Sequence, residues 1–92
     1  MASLSELIEQ LDVIDSQIIE LYEKRMEICS QVGAYKITAG KAVLDKEREI
    51  EKLNQVMQKA SKDYNKAGLV ELFELLMAQS RKLQQQMMES QE

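Results

Sequence analysis

The chain has 92 residues, 45% of them hydrophobic and 30% charged, a balance that suits one folded domain over residues 1–92 and excludes a disordered tail or a membrane protein. Its formal charge of −4 and pI near 4.9 set it against nucleic-acid phosphates, while leaving room for a local cationic pocket that binds a small anion. There is no histidine and a single cysteine, Cys29, which excludes Ser-His and Cys-His nucleophile pairs, His-ligated metals, an intramolecular disulfide and a cysteine-based zinc site.

With no proline, three glycines and no β-branched alternation, the chain reads as helix almost throughout. Helix 1 is predicted over about Ser5–Ile37, with Ser3 or Ser5 as its N-cap and Glu6 in its first turn. Leu7, Leu11, Ile14, Ile18, Leu21, Arg25, Ile28 and Val32 alternate spacings of four and three, a coiled-coil-like seam with Arg25 in a core slot. Arg25 and Lys36, eleven residues apart, return to within roughly 20° of one another around the helix. Both cations therefore point along the stripe the helix should bury. Gly33, one turn before Lys36, is expected to permit a close helix approach, and Tyr22 and Tyr35 are expected to pack on neighbouring helices.

A loop, "TAGKAVL", follows. Helix 2 is predicted to start after Asp45, a good N-cap, and to run to about Ser61, with Ile50, Leu53, Val56 or Met57, and Ala60 on its apolar stripe. "KDYNKAG" reads as the second connection and helix 3 as about Leu69–Glu89, ending in the polar stretch "QQQMMESQE", which is expected to fray. Along helix 3 the stripe Leu69, Phe73, Leu76, Ser80, Leu83 and Met87 holds one polar residue, Ser80, and Gln84 lies one turn beyond it. The methionines read as core filler or tail.

Helix 1 would be about 50 Å long at 1.5 Å per residue. A compact globule of this chain length has a radius of gyration of only about 12 Å. The helix cannot fit inside its own globule, yet its seam runs along most of its length. The expected architecture is therefore all-α: three helices per chain in an intertwined homodimer, with helix 1 spanning both halves.

An unpaired buried cation costs several kcal/mol. Three helices that each turn polar groups inward are better explained by a shared site than by separate accommodations. Arg25 and Lys36 come from helix 1, and Ser80 and Gln84 from helix 3. Arg48 and Glu49 sit in the first turn of helix 2, where free N–H groups also favour an anion or a hydroxyl oxygen. Together they would form a small cationic cavity suited to a compact ligand with more than one carboxylate.

These residues carry a family resemblance. "LDVIDSQIIELYEKRMEICSQVGAYK", then "VLDKERE", then the spaced Ser80 and Gln84 of "LFELLMAQSRKLQQQ" resemble the all-helical (AroQ-type) chorismate mutases over nearly the whole chain, including those fused to other shikimate-pathway enzymes. The resemblance implies a three-helix chain, an intertwined dimer with two equivalent sites, and rearrangement of chorismate to prephenate on the route to phenylalanine and tyrosine. It implies that Arg25 holds a substrate carboxylate and that Lys36 contacts a carboxylate and the breaking ether oxygen. Gln84 is the second donor to that oxygen and Ser80 a carboxylate-side contact. Asp45, Arg48 and Glu49 form the loop-and-helix group, with Glu49 taking the ring hydroxyl.

One position departs from the pattern. The family's "LRxxID" carries an arginine that crosses the dimer into the partner's site. Here the stretch is "LIEQLD", and Ile8 stands where that arginine is expected. The expectation is an impaired chorismate mutase. The alternatives are a catalytically inactive or regulatory member of the same fold, natural or altered; a lyase acting on isochorismate, against which Glu49 argues; and a purely structural dimerisation module, which gives no reason for the polar slots. The reaction needs no metal or cofactor. The chain shows no membrane-spanning run and no signal-peptide pattern, so a cytoplasmic location is expected.

Overall fold

The computed structural model describes residues 1–90 as three helices: α1 (Leu4–Ala39), α2 (Lys46–Lys59) and α3 (Asp63–Ser90). The all-α architecture is the one the periodicity predicts. Ser3 is the N-cap of α1, its Oγ accepting from the Glu6 amide at 3.2 Å. The helix stops at Gly40, which adopts φ 68°. There the Gly40 amide donates to the Ile37 carbonyl at 3.3 Å and the Lys41 amide to the Lys36 carbonyl at 2.8 Å, a Schellman closure. The left-handed φ is the reason a glycine stands at that point. Asp45 starts α2, its Oδ1 accepting from the Arg48 amide at 3.1 Å.

α3 begins at Asp63, not near Leu69, so most of "KDYNKAG" is helix and the second connection shrinks to residues 60–62. Gly68 in a helix interior costs only about 1 kcal/mol relative to alanine, too little to break it. Asp63 favours the start electrostatically and pairs with Lys66 one turn on, Nζ to Oδ1 at 3.0 Å. The polar end is helical to Ser90; residues 91 and 92 lie outside the described residues.

α3 is the common support: it packs on both α1 and α2, whereas α1 and α2 make no close backbone approach. The crossing with α1 is tight at buried Gly33. A Cβ there would stand 2.9 Å from Gln84 Cγ and 3.2 Å from Met87 Sδ, which is the close approach expected of this glycine. Tyr35 does not pack on a helix. It lies two residues and so about 200° around from Gly33, is exposed, and has the Lys41 ammonium 5.6 Å from its ring centroid. Tyr22 is left 38% exposed in the single chain.

Within one chain the apolar core is small, with Val56 and Met77 its buried hydrophobic residues among those described. The molecule is 57 Å long with a radius of gyration of 16.8 Å, well above the roughly 12 Å of a compact chain this size. Residues 4–24 of α1 are exposed throughout, and the seam residues Leu7, Leu11, Ile14, Ile18 and Leu21 lie along them.

The two helix-interior glycines should respond in opposite directions. Gly33→Leu should lower the unfolding free energy by about 1–3 kcal/mol through overpacking against Gln84 and Met87. Gly68→Ala, where a Cβ meets nothing within 4 Å, should raise it by up to about 1 kcal/mol. Urea unfolding followed by circular dichroism measures both.

Candidate active site

The gap between α1 and α2, floored by α3, is a cavity of about 420 Å³. That is the size range of sites for small metabolites. Its wall from α1 carries Arg25, Cys29, Val32 and Lys36, its wall from α2 carries Arg48, Glu49 and Lys52, and α3 contributes Phe73, Met77, Ser80, Arg81 and Gln84.

The polar residues in this wall hold one another. Buried Ser80 donates its hydroxyl proton to the Leu76 carbonyl at 2.9 Å and accepts from Arg25 Nη1 at 2.6 Å. With that proton committed, the Cys29 thiol, 3.1 Å away, is the donor in its contact with Ser80 Oγ. Arg25 Nη1 also reaches the Leu76 carbonyl at 3.3 Å and Cys29 Sγ at 3.7 Å. One amino group of the seam's guanidinium is thereby held without a carboxylate, and its charge stays uncompensated toward the cavity. Gln84, 5% exposed, donates Nε2–H to the Cys29 carbonyl at 2.9 Å. That bond fixes which end of the amide faces α1 and leaves the second N–H free. Lys36 Nζ donates to the Val43 carbonyl at 2.8 Å, which draws the loop before α2 against the end of α1.

On the opposite side, Glu49 Oε1 accepts from Arg81 Nη1. Among the described residues this is the one ion pair that joins two helices; the other two span single turns. The lining carries the cations Arg25, Lys36, Arg48, Lys52 and Arg81 against Asp45 and Glu49. A chain of net charge −4 thus concentrates positive charge in one concave site.

Seven of the eight residues singled out from sequence line this cavity: Arg25, Lys36, Asp45, Arg48, Glu49, Ser80 and Gln84. Asp45 spends Oδ1 on the α2 cap, so its observed role is local. Ile8 does not join them: it is half-exposed, seventeen residues and so about 25 Å along α1 from Arg25. Sequence reasoning missed Arg81 and Cys29. A signal for Arg81 was present, since Phe73, Met77 and Arg81 recur every fourth residue and so share a face with the chosen slots.

The chain is a three-helix protein whose helices close on one metabolite-sized cavity with a cation-rich lining. The family model described as chorismate mutase type II matches residues 7–85, and the chain belongs to that family. It is also similar to the T-protein of Haemophilus influenzae, 37% identical over 71 residues. The match covers 77% of this chain but 19% of the T-protein, so the chain spans about a fifth of the relative's length. No solved structure matches the chain.

Proposed function

We propose that the chain is a chorismate mutase, an isomerase converting chorismate to prephenate. The observation that carries this reading is the convergence of Arg25, Lys36, Ser80 and Gln84, from two helices, on one cavity. The rearrangement breaks one C–O bond and forms one C–C bond within a single molecule, so the protein's work is to hold the substrate folded and to stabilise charge developing on the ether oxygen.

Arg25, steadied by Ser80, binds one carboxylate through charge-assisted hydrogen bonds. Lys36 keeps one donor on the Val43 carbonyl and turns its remaining donors to the ether oxygen and a carboxylate. Gln84 keeps one N–H on the Cys29 carbonyl and gives the other to the ether oxygen. Glu49 accepts from the ring hydroxyl, and the first turn of α2, with Arg48, faces the ligand's negative charge.

The active form is an intertwined homodimer in which the exposed seam of α1 packs against a second copy. The support is length: 36 residues of helix, about 54 Å, in a chain whose own core covers only the C-terminal part. The N-terminal end of α1, with Ile8, then approaches the partner's cavity. A carboxylate that meets isoleucine is left under-compensated, and the loss of one partner of a buried charged pair costs about 2–5 kcal/mol. The chain therefore turns over below the rate that a full set of cations would support. A second reading, a catalytically silent member of the same fold, is favoured by one observation: neither lysine nor arginine precedes Lys24.

Chorismate loss followed by ultraviolet absorbance, with prephenate identified as product, separates the two readings; no turnover at any enzyme concentration supports the silent one. Lys36→Ala should reduce kcat by about 10²–10³ with the helical circular dichroism unchanged, and wild-type turnover in that variant would remove the site assignment. Ile8→Arg should raise kcat/KM by at least about tenfold, the conservative end of the charged-pair range. Sedimentation equilibrium should give a dimer with no folded monomer on dilution; a folded, concentration-independent monomer would rule out the intertwined assembly.

A further inference from the structure

The cations of the cavity differ in how far they are already committed. Arg25 spends Nη1 on Ser80 and the Leu76 carbonyl, and Lys36 donates to the Val43 carbonyl. Among the described residues Arg81 has one partner, Glu49, and a guanidinium carries five N–H donors in a rigid fork. Its side chain is 36% exposed while lining the cavity, so the fork touches both Glu49 and open space. A partly exposed ion pair contributes little as a brace between helices. A fork with spare donors, on the wall of a cavity already rich in positive charge, is better matched to an anionic ligand.

The position is also complementary to Arg25. Arg25 enters from α1, whereas Arg81 enters from α3 and leans on the first turn of α2. Two guanidinium groups thus come from different walls, as a ligand with two separate carboxylates requires. No lysine or arginine occurs in the first 23 residues, so the N-terminal end of a partner's α1 can bring no cationic side chain.

We propose that Arg81 is a second carboxylate-binding arginine of this site: Arg25 takes one carboxylate of chorismate and Arg81 the other, while Glu49 stays tethered to Arg81 and accepts the ring hydroxyl. The proposal rests on the chorismate mutase reading and deepens it. It makes the second anion contact internal to the subunit, which softens the consequence of isoleucine at position 8.

A double-substitution cycle on the full chain tests it, with chorismate turnover as the readout and circular dichroism as the check on folding. Arg81→Gln should lower kcat/KM by at least about 30-fold in the otherwise unaltered chain, the fold-change of losing one member of a buried charged pair. In the Ile8→Arg background, where a partner cation meets the same carboxylate, the loss should be no more than about threefold. Equal losses in the two backgrounds would make Arg81 a structural brace and overturn the proposal. No loss in the unaltered chain would overturn it while leaving the mutase reading intact. Absence of turnover from both the unaltered and the Ile8→Arg chains would overturn the mutase reading and this proposal with it. Should Arg81→Gln unfold, Arg81→Lys takes its place, since lysine keeps the charge and loses the fork. A loss of about tenfold in the unaltered chain and none in the Ile8→Arg background is then expected, and equal losses again overturn the proposal.

Discussion

The cavity exists because α3 crosses α1 at contact distance, and that crossing depends on the missing side chain of Gly33. A methyl group there would meet Gln84 Cγ at 2.9 Å, too close to be absorbed without moving the glutamine. With the backbone open at that point, Gln84 lies flat enough on α1 to donate to the Cys29 carbonyl, and Ser80, one turn earlier, reaches Arg25. A buried amide without a partner is costly, so the same bonds that orient the polar groups also make their burial tolerable. The glycine therefore acts on the site through the register of two helices without touching a ligand.

α3 carries a double load. It is the one helix in contact with both others, and it supplies the most buried polar side chains, Ser80 and Gln84. α1 and α2 face each other across the cavity without packing, joined by the Lys36–Val43 bond at one end and by their shared packing on α3. A gap between two helices is normally an energetic loss, since its lining forgoes dispersion contacts. Here charged and polar groups that water or an anion can satisfy line it beside Val32, Phe73 and Met77, which lowers that loss.

Charge is organised on the same plan. The chain is acidic overall, while five cations gather at one concave surface. Fields between exposed charges fade over roughly 8–10 Å in physiological salt, so the distant acidic residues weaken the pocket little. Within it, low-dielectric walls strengthen each contact to a bound anion.

The three helices, the seam of α1, the cap at Asp45 and the polar slots at Arg25, Ser80 and Gln84 were legible in the sequence, because helical periodicity and capping are local properties of consecutive residues. The start of α3 was not, because a single Gly68 weakens a helix by too little to stop it once Asp63 and Lys66 support its first turn. The site was legible as a set of residue types but not as a network. That Arg81 pairs with Glu49 and that Cys29 offers both its thiol and its carbonyl to α3 follow from contacts that only the fold creates. Glu49 and Arg81 stand 32 residues apart on different helices, and nothing in either local sequence encodes their meeting. The sequence by itself determined where the helices run and which polar groups share a face of each. The crossing of α1 and α3, set by the one position narrow enough to allow it, decided which of those groups could touch.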